Sequence, residues 1–121
     1  MQSAAQAYGS VAKQIANPRQ LEAQLLLKAA SRLQGIQDDW DCKRPELENA
    51  LLYNRKLWTV FVSSVTDTAS PLPTAVRQNV ANLGLFVFKQ TIALAAKPQP
   101  ERLSALIRIN REIAAGLLSE A

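Results

Sequence analysis

Apolar positions recur along this chain at the three- and four-residue spacing of amphipathic helices, and no stretch shows the strict alternation of a strand. Residues that start and stop helices divide the pattern into five segments. The predicted helices cover about 3–16, 18–35, 45–65, 70–96 and 100–119. Because the later connections are short, we expect an all-α, compact bundle with antiparallel neighbours.

One proline and one glycine mark the ends of the second predicted helix. Asn17 followed by Pro18 combines an N-cap residue with proline at the first helical position. Gly35 and the polar run after it are predicted to end that helix. The preceding helix, about 3–16, has a narrow apolar stripe of Tyr8, Val11 and Ile15. We interpret residues 1–16 as a loosely docked arm of a single domain spanning 1–121.

The third and fourth predicted helices are apolar over a wider arc than a simple bundle requires. Such a helix is either central in the bundle or leaves an apolar groove for a partner, and the sequence does not choose between them. The side chains beyond the arc needed to close the bundle are predicted to bind a partner: Tyr53, Leu57, Val60, Leu85, Phe88 and Ile92.

Two Asn-Arg pairs interrupt apolar stripes. Asn54 falls on the face of Leu51 and Trp58. Asn110 occupies the same kind of position in the last helix, and Arg55 and Arg111 follow the two asparagines. One interpretation is a pair of buried anchors that fix helix register. In the other, both Asn-Arg pairs face a groove filled by a partner, with the arginines pairing with acids at its rim.

Composition argues against catalysis, against metal or cofactor binding, and against several classes of partner. The chain has no histidine, a single cysteine and no Gly-rich phosphate loop, so we expect no enzyme activity, no metal and no cofactor. The net charge of +4 is spread along the sequence, which argues against DNA binding and direct RNA binding. No uninterrupted apolar run reaches 18 residues and no signal peptide is evident, so we expect a cytoplasmic protein without a membrane span.

The order of these landmarks resembles the FlaF family of flagellar regulatory proteins over nearly the whole chain. The specific pieces are NRKLW, which contains Asn54, and INREIAAGL, which contains Asn110. Weaker ones are Ala7-Tyr8, Pro18-Arg19, Glu22, Leu72-Pro73 with Arg77, and the run NLGLFVF.

The resemblance implies a small cytoplasmic helical protein needed for flagellin synthesis and export. Its implied partners are flagellin and, as a companion regulator, an FlbT-type protein. A compatible mechanism is helix-in-groove recognition of the amphipathic terminal helices of unpolymerised flagellin, as a secretion chaperone would perform it. The alternatives are a post-transcriptional regulator acting on flagellin mRNA with FlbT, and a structural adaptor without flagellin contact.

Overall fold

The computed structural model describes residues 18–119, and every regular element within that range is helical. The five α-helices are α1 (Pro18–Asp38), α2 (Trp40–Lys43), α3 (Leu47–Thr66), α4 (Thr74–Ala96) and α5 (Leu103–Ser119). Short 3-10 turns at Arg44–Glu46 and Pro100–Arg102 lead into α3 and α5. The all-α prediction is confirmed. The predicted helix at 3–16 lies outside the described residues.

The prediction that Gly35 ends the first long helix is wrong. Helix α1 continues to Asp38, and the carbonyl of Gly35 accepts a bond from the Asp39 amide at 3.3 Å. The reason is tertiary: Ile36 is 1% exposed, and its burial outweighs the roughly 1 kcal/mol that glycine costs within a helix. The polar residues that were predicted to end that helix continue it to Asp38 and then lead into the four-residue helix α2.

The four long helices form two pairs. The C-terminal end of α1 meets the N-terminal end of α5, where Gln37 Nε2 donates to Pro100 O at 2.8 Å and to Ser104 Oγ at 2.9 Å. Helices α1 and α5 are therefore antiparallel and form the most extensive helix contact, followed by α3 against α4. Helix α1 also packs on α3 and joins the two pairs, whereas α4 barely touches α5.

One continuous core runs through both pairs. Trp58 of α3 is fully buried, with its ring edge-on to Phe61 at a centroid separation of 5.6 Å. The other large side chains that are almost completely buried are Leu26, Leu33, Ile36, Val65, Val87, Leu94, Leu103 and Leu106. Each fully buried aliphatic side chain stabilises the fold by about 1.5–3 kcal/mol, so this core accounts for the helix arrangement.

Helices α3 and α4 approach closely at Gly84. A Cβ atom on Gly84 would lie 2.5 Å from Val62 Cγ2, which is closer than carbon atoms pack. Glycine is thus required here for space. Past this crossing, toward the C-terminal end of α4, a groove lies between the two helices.

Candidate functional site

Both asparagines of the Asn-Arg pairs lie in the core and are bonded to each other. Trp58 Nε1 donates to Asn110 Oδ1 at 2.8 Å. Asn110 Nδ2 donates to Asn54 Oδ1 at 2.7 Å and to the carbonyl of Leu26 at 3.4 Å. The network joins α1, α3 and α5, so it fixes how these helices sit against one another.

Burial excludes the two asparagines from any surface. Asn54 and Asn110 are both 0% exposed, so assigning them to a partner-binding groove is wrong for this conformation. The interpretation as register anchors agrees with the hydrogen bonds. One atom is not accommodated: Asn54 Nδ2 is buried without a hydrogen-bond partner among the described residues. Such a donor costs roughly 1–3 kcal/mol.

The arginines that follow the asparagines differ in their surroundings. Arg55 and Arg111 are both exposed. Arg55 lines the groove between α3 and α4, whereas Arg111 lies on the outside of α5. Only Arg55 is therefore placed to contact a ligand in that groove.

The six apolar candidates differ in exposure. Val60, Leu85 and Ile92 are exposed, at 68%, 59% and 69%. Leu57 and Phe88 are half-buried against the core. These two therefore offer only part of their side chains to a partner.

Helix geometry explains why the α3 candidates face away from α4. Tyr53 and Arg55 are two residues apart, about 200° around the helix, so they point to opposite sides of α3. The ring of Tyr53 lies 5.9 Å from the guanidinium carbon of Arg32 on α1. Leu57 and Val60 follow Tyr53 at helical spacing and share its side, away from the groove.

The groove that the structure does contain has a volume of about 780 Å³. It lies between the N-terminal half of α3 and the C-terminal end of α4. Its apolar or uncharged lining consists of Pro45, Leu47, Leu51, Leu52, Thr91, Leu94, Ala95 and Pro98, and its charged lining of Asp41, Arg44, Glu48 and Arg55. A mostly apolar concavity with a few charges at its rim is typical of a binding site.

Exposed and half-buried apolar side chains extend this groove along α4. Ala95 lines the groove, and Ile92, Phe88 and Leu85 precede it at steps of three, four and three residues, which places all four on one side of the helix. We call this row, Leu85, Phe88, Ile92 and Ala95, the α4 flank. A groove flanked by such a row is the kind of surface that helix-in-groove binding uses.

Sequence reasoning found the α4 flank but missed the groove. Leu51 and Leu94 are buried, yet both also line the groove. Leu52 is 38% exposed and stands beside Leu51, outside the main stripe. The position of Leu52 outside the stripe was the one feature of the sequence that pointed to the groove. It did not show that α3 and α4 separate at this end.

Two further features bear on the class of protein. Helix α4 is long and apolar enough to cross a membrane by length and composition alone, with a mean hydropathy of 1.2. This is weak evidence, since apolar helices of water-soluble bundles pass the same test. Among residues 18–119, no group of three His, Cys, Asp or Glu side chains is arranged to hold a metal ion.

Residues 18–119 thus form a small helical bundle with an open, mostly apolar groove. The family model described as flagellar protein FlaF matches residues 4–117. The chain therefore belongs to the FlaF family and is a flagella-related protein, as the resemblance indicated. No curated protein and no solved structure matches it.

Proposed function

We propose that this protein binds unpolymerised flagellin in the cytoplasm as a secretion chaperone, without catalysis, and so supports flagellin production and export. The observation that carries the proposal is the open surface made of the α3–α4 groove and the α4 flank. Family membership supplies the flagellar context.

The shape and chemistry of that surface fit an amphipathic helix. Two antiparallel helices that separate leave a trough, and a third helix can lay its apolar side into it. Leu52 from α3 and Ile92 from α4 contribute exposed apolar area. Each such residue contributes about 1.5–3 kcal/mol when fully covered, so three or four anchors give roughly micromolar affinity after the cost of association.

Charges at the rim would set the direction of the bound helix. Glu48 and Arg55 both line the groove on α3 and are two turns apart, with opposite signs. A bound helix with a basic side chain near Glu48 and an acidic one near Arg55 would be favoured over the same helix bound in the opposite direction. Exposed pairs of this kind contribute about 0–1 kcal/mol each, so they select orientation more than they add affinity.

The outer face of α4 is better suited to contact with water than to insertion into a bilayer. Exposed Gln78, Asn82 and Lys89 share the face of Leu85 at helical spacing, so polar side chains stand beside the apolar ones on the α4 flank. Polar and charged side chains facing lipid are costly, whereas on a helix half-covered by α3 they remain hydrated. These residues support an outer face of α4 that contacts water.

Binding is tested by calorimetry of the full chain with purified monomeric flagellin. We expect micromolar binding with a negative heat-capacity change and little dependence on salt, because the contact is mostly apolar. Ile92→Asp and Leu85→Asp should abolish it. Val60→Asp is the matched control, since Val60 and Ile92 are equally exposed but lie on different surfaces.

The Val60→Asp variant also decides between the α4 flank and the side of α3 that carries Val60. Loss of binding in Val60→Asp, with Ile92→Asp binding as wild type, would transfer the site to the side of α3 that carries Tyr53 and Leu57. Wild-type binding by all three variants would refute both surfaces.

Parallel titrations separate the other functions. Binding of labelled flagellin mRNA, alone or with an FlbT-type protein, without binding of flagellin would favour the post-transcriptional regulator. Binding of the FlbT-type protein alone would favour the adaptor. Association with lipid vesicles that Ile92→Asp abolishes would indicate a membrane-binding surface instead.

A further inference from the structure

Helix α3 carries a second row of apolar side chains, on the side away from the groove. Tyr53, Leu57 and Val60 are separated by four and three residues, which is the spacing of one helix face. Tyr53 and Leu57 are half-buried, whereas Val60 is 68% exposed. One exposed valine needs no explanation, but a row at this spacing is the pattern of a coiled-coil seam. The row therefore has the spacing to pack against another helix.

Helix α1 runs alongside this row in the opposite direction. The guanidinium carbon of Arg32 lies 5.9 Å from the centroid of the Tyr53 ring. Glu22, ten residues earlier on α1, lines a pocket with side chains from the end of α3. This antiparallel register places Lys28, one turn before Arg32, beside Leu57, one turn after Tyr53.

Three exposed cations border the apolar row. Lys28 and Arg32 lie on its α1 side, and Lys56 lies on its other side, three residues after Tyr53 and four before Val60. None of the three has an acidic residue three or four positions away on its own helix, so no carboxylate of that helix is spaced to pair with them. We call this surface the α1–α3 face: Lys28, Arg32, Tyr53, Lys56, Leu57 and Val60.

The acidic residues that adjoin the α1–α3 face lie at its two ends. At one end, Glu22 is half-buried beside Arg19. At the other end, Asp39 and Glu46 lie four residues before and three residues after Lys43, whose ammonium group lies against α1. Each end thus combines acidic with basic side chains, whereas the centre of the face carries three positive charges.

We propose that the α1–α3 face binds an acidic amphipathic helix of a protein partner, at a site separate from the α3–α4 groove. An apolar stripe on that helix covers Leu57 and Val60, and carboxylates on both sides of the stripe meet the three cations. The apolar row supplies the contact area, and the charges select an acidic partner over a basic one.

The same surface fits a nucleic acid or a membrane less well. Phosphates would neutralise the cations but would leave exposed Val60 uncovered. A stacked base needs an open aromatic ring, and the ring of Tyr53 already has Arg32 over it. Helices that bind a bilayer surface bury a broad apolar face, whereas two of the three apolar side chains here are half-buried in the fold.

Two designed peptides test the proposal on the full chain. Each has about three heptads with leucine at the a and d positions, and one has glutamate and the other lysine at the e and g positions. Like charges at e and g keep each peptide from pairing with itself. Calorimetry should give roughly 10–100 μM binding of the acidic peptide that weakens at high salt, and no binding of the basic peptide. Equal binding of both peptides, or binding of neither, would overturn the proposal.

An apolar substitution pair locates the bound peptide. Val60→Asp should weaken binding of the acidic peptide by about tenfold or more, because a carboxylate replaces the most exposed member of the row. Ile92→Asp on the α4 flank is the matched control, since Ile92 is equally exposed, and it should bind as wild type. Wild-type binding by Val60→Asp with loss in Ile92→Asp would place the peptide on the α4 flank and refute the α1–α3 face.

A charge-reversal pair separates the local charges from the net charge. Lys28→Glu combined with Lys56→Glu should weaken binding of the acidic peptide by about tenfold at low salt. Lys89→Glu combined with Arg111→Glu changes the net charge equally at exposed positions of α4 and α5, and it should have a much smaller effect. Equal losses in the two double variants would mean that net charge alone attracts the peptide, and the face would be refuted.

Other ligands are tested with the same variants. The protein partner is refuted if a labelled single-stranded oligouridine, or vesicles containing phosphatidylglycerol, bind wild type but not the variant with Lys28→Glu and Lys56→Glu while the acidic peptide does not bind.

The outcome does not depend on the proposed function. Protein saturated with monomeric flagellin should still bind the acidic peptide; displacement of the peptide would refute a separate site. If no variant binds flagellin but the acidic peptide binds and Val60→Asp loses it, the proposed function is wrong and the α1–α3 face stands.

Discussion

Helices α4 and α5 are both strongly apolar, yet they use that character differently. Four of the eight large apolar side chains exposed among residues 18–119 lie on α4, and one, Leu118, lies on α5. Helix α5 packs along α1 and turns its charged residues outward. Helix α4 is covered by α3 on one side and has little contact with α5. The α1–α5 pair thus buries most of its apolar surface within the fold, whereas the α3–α4 pair leaves apolar surface exposed.

The largest expected effect concerns the network that anchors the α1–α5 pair to α3. Asn110→Leu should lower the free energy of unfolding by about 2–4 kcal/mol, because it removes three hydrogen bonds and leaves Trp58 Nε1 unpaired in the core. Asn54→Leu should be milder, since it removes one accepted bond and also a donor without a partner. Urea unfolding followed by tryptophan fluorescence measures both, with exposed Lys56→Ala as the control. An Asn54→Leu variant less stable than Asn110→Leu would contradict the assigned bonds.

The sequence predicted the positions of the two asparagines but not their role. Asn54 and Asn110 fall within regular apolar stripes, a pattern that left both buried anchors and a partner-filled groove open. Their mutual bond was not predictable, because it depends on the relative rotation of α3 and α5, which no local pattern encodes. The failure at Gly35 has the same origin: burial of Ile36 by neighbouring helices overrode a local stop signal.

The exposed apolar surface of the α3–α4 pair was harder to predict from the sequence. The wide apolar arcs correctly indicated spare surface on α4, and exposed Leu85 and Ile92 agree with that. On α3 the arc has a mixed outcome, because Val60 is exposed whereas Tyr53 and Leu57 are half-buried, all three on the side away from α4. A helical wheel gives angles within one helix but not which neighbour covers each angle. The groove depends on how α3 and α4 separate beyond Gly84, and that is a tertiary property.

The next largest effect tests the close contact between α3 and α4. Gly84→Ala should destabilise the protein by about 1–3 kcal/mol, because the new methyl group would overlap Val62. Gly116→Ala on α5 is the matched control: nothing lies within 4 Å of its Cβ position, so alanine should stabilise by about 0.5–1 kcal/mol. Thermal unfolding compares them. Adding Val62→Ala to Gly84→Ala should recover part of the loss, and no recovery would mean that Val62 is not the obstacle.

A smaller, pH-dependent effect is expected where α1 meets the turn between α3 and α4. Glu22 is half-buried in the pocket that Pro18 and Leu72 also line. Burial raises the pKa of the Glu22 carboxyl above its ordinary value of 4.5, and the nearby Arg19 partly opposes this. A raised pKa in the folded state means that the protonated form stabilises the fold at low pH and that this contribution is lost as pH rises through the folded pKa.

Glu22→Gln should therefore gain stability relative to wild type between about pH 4.5 and pH 7 and equal it in more acidic solution. Urea midpoints across this pH range measure the difference. Gln24, an exposed neighbour on α1, gives the control variant Gln24→Glu, whose stability relative to wild type should change little with pH. A stability gain for Glu22→Gln that grows as pH falls would have the wrong sign and would indicate a carboxylate stabilised by Arg19.

The smallest effect on stability is expected on the α4 flank itself. Ile92→Ala should change the free energy of unfolding by less than about 0.5 kcal/mol, because an exposed side chain loses little on truncation. Ile109→Ala on α5 removes the same atoms from a site that is 7% exposed, and it should cost about 2–4 kcal/mol. Urea unfolding of the two variants at one pH gives the contrast directly. A large loss for Ile92→Ala would mean that another element already covers the flank in the free protein, and the contrast between α4 and α5 would then not be one of exposure.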